Sequence, residues 1–148
     1  MPGTTAPAGE DSQIRAFMDG FAQALRARDI DALMAHYAPD TVTFDIRPPA
    51  QVKGAQAYRK NFETWFASVA GPIDYDLHDL RIAASGKVRF CHSLCHVRST
   101  RTTGETSDYW VHVTSGLRKT NGRWTITHEH ISMPIDLQTM QALPDRQS

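Results

Sequence analysis

The segment Thr114-Ser-Gly-Leu-Arg-Lys-Thr-Asn-Gly-Arg-Trp-Thr-Ile-Thr-His-Glu-His-Ile-Ser-Met-Pro134 decides how this chain is read. Asn121-Gly122 at its centre is a strong signal for a tight hairpin, because both central positions of such a turn favour positive φ. Beyond the turn, Trp124, Ile126, His128, His130 and Ser132 recur at period two, which places them on one face of a strand. That face begins aromatic and aliphatic and ends in two imidazoles and a hydroxyl. Alternation therefore predicts a strand that packs a core at one end and lines a polar cavity at the other.

Three more strand-length segments precede this one: Ile73 to Ala83, Lys87 to Thr100 and Ser107 to Lys119, with Arg123 to Met133 as the fourth. Gly86, Gly104 and Gly122 fall between them, so an antiparallel meander is predicted. The first half is helical. Ile14, Phe17, Met18, Phe21 and Leu25 recur at three- and four-residue spacing and predict a helix from Ser12 to Arg28. Asp29 caps a second, short helix from Ile30 to Tyr37, ended by Pro39-Asp40. Thr41 to Asp45 alternates and is rich in β-formers. Gly54 opens a third helix with an aromatic stripe of Tyr58, Phe62, Trp65 and Phe66, stopped by Gly71-Pro72. Helices first and sheet afterwards predict an α+β fold with the helices on one face of a curved sheet.

With 148 residues the chain is expected to form one domain. Residues 12–134 form that domain, followed by a tail over 135–148 in which Leu137 to Leu143 adds a short helical turn. Met1 to Asp11 lacks the basic and apolar regions of a signal peptide; it is expected to be a disordered lead-in, and the cytoplasm the expected compartment. Sixteen basic and sixteen acidic residues leave no net charge, which argues against a nucleic-acid partner. No apolar run approaches the roughly 20 residues that cross a bilayer, so no membrane partner is expected. Cys91 and Cys95 lie four residues apart on one strand face. Their Cα atoms would be about 13 Å apart, too far for a disulfide, and both are expected to be reduced packing residues.

Two motifs carry a resemblance. A helix, Arg28-Asp-Ile-Asp-Ala-Leu33, a second helix and Tyr37-Ala-Pro-Asp-Thr-Val-Thr-Phe-Asp45 resemble the N-terminal half of the ketosteroid-isomerase and nuclear transport factor 2-like superfamily. Leu117-Arg-Lys-x-x-Gly-Arg-Trp-x-Ile-x-His-x-His130-x-Ser132-x-Pro134 looks like its SnoaL-like branch, and Ala24 to Pro134 is covered with few gaps. The resemblance implies a cone-shaped α+β barrel, cystatin-like in fold, whose three helices and bent antiparallel sheet enclose a pocket. It also implies a homodimer built through the outer sheet face. Asp45 falls at the position of the catalytic base. Phe21 stands where the parent isomerases carry an oxyanion-hole tyrosine, and Thr114 where they carry a protonated aspartic acid. With both strong donors replaced, steroid isomerisation by the parent mechanism is not expected.

Asp45, His128, His130 and His112 are thus the candidate catalytic groups, because a carboxylate base and imidazoles near neutrality suit proton transfer. Asp45 shares the Thr41 and Thr43 face of its strand. Phe21, Tyr58, Phe62, Trp65, His92, Trp110, Thr114 and Ser132 are the candidate pocket lining, since aromatics with a few polar groups make up most small-molecule sites. The leading reading is a small-molecule pocket protein acting as an isomerase, cyclase or hydratase without an organic cofactor. A non-catalytic ligand-binding or dimerisation module is the alternative. A metal enzyme built on His-x-His and His112 ranks third; no acidic residue obviously completes the set, and no metal is assigned.

Overall fold

Apolar spacing and local capping account for the helices of this protein, whose computed structural model describes residues 8–146. Helix α1 (Ala8–Arg26) buries Ile14, Met18, Phe21 and Leu25 along one stripe. It begins ahead of Ser12, so Ala8 to Asp11 of the expected lead-in are helical; the rest of that lead-in lies outside the described residues. Arg28 adopts a positive φ and Asp29 caps the next helix, α2 (Ile30–Met34), by accepting from the Ala32 N–H at 3.1 Å. Strand β1 (Tyr37–Phe44) follows directly, longer than its alternating core suggested. A short β2 (Val52–Lys53) then leads into α3 (Ala55–Ala67), which buries Tyr58 and Phe62.

The second half supplies β3 (Asp74–Ser85), β4 (Val88–Thr100), β5 (Thr106–Thr120) and β6 (Arg123–Ser132). At the β5–β6 turn Asn121 and Gly122 have φ of 54° and 75°, the pair of positive values that the sequence demands. The six-stranded sheet runs β2-β1-β6-β5-β4-β3. Its long strands form the expected meander, but β1 pairs with β6 in parallel, so the sheet is mixed. The helices cover one face of the sheet, and one apolar core fills the space between them, from Ile14 and Leu25 to Val97, Val113 and Ile126. Burying each such side chain contributes roughly 1.5–3 kcal/mol.

The tail differs from expectation. Met140 N–H bonds to the Asp136 carbonyl at 2.7 Å, a single helical turn, but Met140 then takes a φ of 60° and the chain doubles back. The product is a two-stranded hairpin, β7 (Ile135–Asp136) with β8 (Gln141–Ala142). Cys91 and Cys95 are free and buried, and burial pushes the Cys91 thiol up to about 12, an unreactive packing group. Among the described residues no helix is long and apolar enough to cross a membrane.

Candidate functional site

The pattern of β5 fixes which sheet face looks inward. Val111, Val113, Ser115 and Leu117 are buried, whereas His112 and Thr114 between them are exposed. Partners across the ladder share a face, and His112 pairs with Ser132, Thr114 with His130, and His92 with Thr114. His92, Trp110, His112, Thr114, His130 and Ser132 therefore belong to the outer face. They do not line the helix-covered interior expected for them from the sequence. His128 joins them: its ring packs edge-on to Phe44 at 4.9 Å, and its Nδ1 donates to the Val42 carbonyl at 2.7 Å.

On β6, one extra residue causes the reversal of His128, His130 and Ser132. Leu117 pairs with Ile126, but Gly116 pairs with His128, leaving Thr127 as a β-bulge whose hydroxyl donates to the Gly116 carbonyl at 3.2 Å. A bulge advances the chain by one residue without advancing the ladder, so side chains after it change face. Trp124 and Ile126 point inward before the bulge; Glu129 and Ile131 point inward after it. The strand does change from core packing to cavity lining, but through Glu129 rather than through the histidines.

Between α1, α3 and the inner face of β4 to β6 lies a cavity of about 70 Å³. Its walls are Phe21, Leu25, Phe62, Trp65, Val97, Val111, Val113 and Ile131. Two carboxyl groups enter it. Asp45, at the end of β1 on the side of the buried Thr41 and Thr43, accepts from the Tyr58 hydroxyl at 2.7 Å and from the Ile46 N–H at 2.6 Å. Glu129, only 2% exposed, accepts from the Tyr37 hydroxyl at 2.8 Å and from Ser115 Oγ at 3.2 Å. The Tyr37 and Tyr58 rings meet edge to face with centroids 5.4 Å apart, which joins the two pairs into one buried network.

Burial pushes the Glu129 carboxyl up to about 7, with Asp45 adding to the rise and hydrogen bonds from Tyr37 and Ser115 opposing it. Burial, then the field of Glu129, drives the Tyr37 and Tyr58 phenols well above the usual range, so both stay protonated donors. Asn61 Nδ2 is buried with no hydrogen-bond partner and belongs to a residue on the cavity wall. An unpartnered buried donor costs free energy unless a ligand or water meets it.

Of the residues singled out from sequence, Asp45, Phe21, Tyr58, Phe62 and Trp65 border this cavity. Glu129, Tyr37 and Asn61 were not singled out. The signal for Glu129 lay in β5, whose Val-His-Val-Thr-Ser-Gly-Leu pattern marks the odd positions as inner and, by pairing, turns His130 outward. Thr114 lies outside the cavity, so its correspondence to the parent aspartic acid has no geometric counterpart here. Among the described residues no group of three or more His, Cys, Asp or Glu side chains is placed to hold a metal ion.

The SnoaL-like domain model matches residues 14–136. A nuclear transport factor 2-like protein of unknown function from Pseudomonas putida is 33% identical and superposes with a TM-score of 0.86, covering 97% of this chain and 100% of that one. Two proteins from Novosphingobium aromaticivorans share the fold. One is a candidate scytalone dehydratase (14% identity, TM-score 0.78, 94% of this chain and 89% of that chain). The other is a candidate aromatic ring hydroxylase (18% identity, TM-score 0.80, 88% of this chain and 94% of that chain). No curated protein sequence matches the chain. The family match runs through the helices, the sheet and the cavity they enclose, and the chain belongs to the SnoaL-like family of the nuclear transport factor 2-like superfamily.

Proposed function

We propose that the cavity binds a small, largely apolar molecule and catalyses proton transfer on it, as a dehydratase or isomerase acting through Asp45 and Glu129. The observation that carries this reading is the placing of two carboxyl groups in one aromatic-walled cavity, each held by a tyrosine hydroxyl and each at a different depth. Pairs of acids in unlike environments divide acid and base roles. Asp45, half-buried, removes a proton from carbon beside a carbonyl. Glu129, deeper and half-protonated near neutrality, delivers a proton to the departing hydroxyl or to the far carbon. Asn61 Nδ2 offers its free hydrogen to the carbonyl oxygen as negative charge grows there, a task that Phe21 cannot perform. A candidate dehydratase among the structural neighbours is consistent with this chemistry. The imidazoles have no part in it.

The test uses the aldol adduct of benzaldehyde and acetone. Loss of water forms a conjugated enone whose ultraviolet absorbance reports turnover. The protein should accelerate this elimination, and Asp45→Asn and Glu129→Gln should each lower kcat/KM by about a hundredfold or more. The wild-type rate should fall as pH rises through about 7, because the donor form of Glu129 is lost. A saturable thermal shift with no turnover in any variant would favour a binding module instead.

A further inference from the structure

Beyond the inner cavity lies a second hollow of about 340 Å³, and Arg47, Trp65 and Tyr109 line both spaces. The inner space is well under the roughly 150 Å³ of a cavity that accepts benzene. A ring-sized ligand therefore enters it only in part, and the shared residues mark the second hollow as the space into which the rest extends. The chemistry of that hollow is different. Arg47 and Arg101 bring two guanidinium groups, Thr64, Ser99 and Ser107 bring hydroxyls, and among the described residues no carboxylate lines it.

Both arginines are positioned. The Arg47 guanidinium carbon stands 5.4 Å from the centre of the Trp65 ring, and no ion pair among the described residues takes up its charge. Arg101 Nε donates to Ser107 Oγ at 3.0 Å. Arg101 Nη1 also stands 3.9 Å from Glu105, in a pair whose side chains are both more than half exposed, so water screens it. Asp45 lies on the inner side of the boundary and is held by Tyr58. The hollow thus presents two guanidinium groups beside hydroxyl donors, the arrangement that recognises an oxyanion.

We infer that this hollow binds an anionic group, carboxylate or phosphate, carried on the same molecule whose apolar body enters the inner cavity. The inference rests on the inner cavity being the substrate site and names the substrate class as an apolar acid or phosphate ester.

Calorimetric titration at low salt with hydrocinnamate, methyl hydrocinnamate and phenethyl phosphate tests it. At least one of the two anions should bind about tenfold or more tightly than the neutral ester, and which one does so separates carboxylate from phosphate recognition. The preference should fall to about one in the Arg47→Gln, Arg101→Gln double variant. Taking the ratio cancels any effect of the substitutions on the seat of the ring. Equal binding of anion and ester, a preference that survives the double variant, or no binding of either anion at millimolar concentration would overturn the inference. Turnover that ignores Asp45→Asn would sink the acid–base reading and leave this ratio unaffected, so the two failures are distinguishable.

Discussion

Glu129 is a fully buried carboxyl whose titration the fold displaces upward. A glutamate titrates near 4.5 in an unfolded chain, and burial lifts this one to about 7. Between those values the folded state binds the proton more tightly than the unfolded state does. The stabilising contribution is therefore complete below the unfolded value and is lost as pH rises through about 7. The difference is worth on the order of 3 kcal/mol for a fully buried group. Urea denaturation should accordingly show a midpoint that falls from about pH 5 to about pH 8, and Glu129→Gln should flatten that slope. A flat wild-type profile would contradict the buried protonated state. At this scale the sequence was half legible. Asp45 could be placed because the family resemblance sets it in register with a catalytic base, whereas Glu129 hid between two histidines that draw attention as better-known proton carriers.

The element that hid it is β6. Its alternation is regular in sequence from Trp124 to Ser132, and nothing in those residue types announces that Thr127 is left out of the ladder. A bulge is a property of two strands in register, so it is visible only against β5, where Gly116 stands opposite His128. Once the bulge is included, the imidazole row and the exposed Phe44 and Phe90 fall on the outer face, where the family resemblance places subunit contact. His128 then serves as a tie between β6 and β1 through its bond to the Val42 carbonyl. His128→Ala should cost about 1 kcal/mol in chemical denaturation and leave kcat/KM within about twofold. A loss of turnover as large as that of Glu129→Gln would place the imidazole in the cavity and refute the bulge.

The architecture of the whole molecule was more legible than its site, because fold class depends on many weak periodic signals and the site on a few side-chain directions. Helical stripes in α1 and α3, the Asp29 cap and the Asn121-Gly122 turn each stood in the sequence and each occupies its expected place. The parallel closure of β1 on β6 did not. It joins Phe44 to His130 across most of the chain, and no local pattern encodes which edge an early strand will reach. That closure brings the end of β1, and with it Asp45, to the mouth of a cavity whose floor is Glu129. In the proposed reaction, Asp45 first removes a carbon-bound proton. Exchange of the protons beside the carbonyl of phenylacetone, followed by proton NMR in heavy water, measures that step without knowledge of the natural substrate. Wild-type protein and His130→Ala should both accelerate exchange, and Asp45→Asn should lose about a hundredfold or more of the acceleration. Exchange as fast with Asp45→Asn as with wild type would exclude Asp45 as the base.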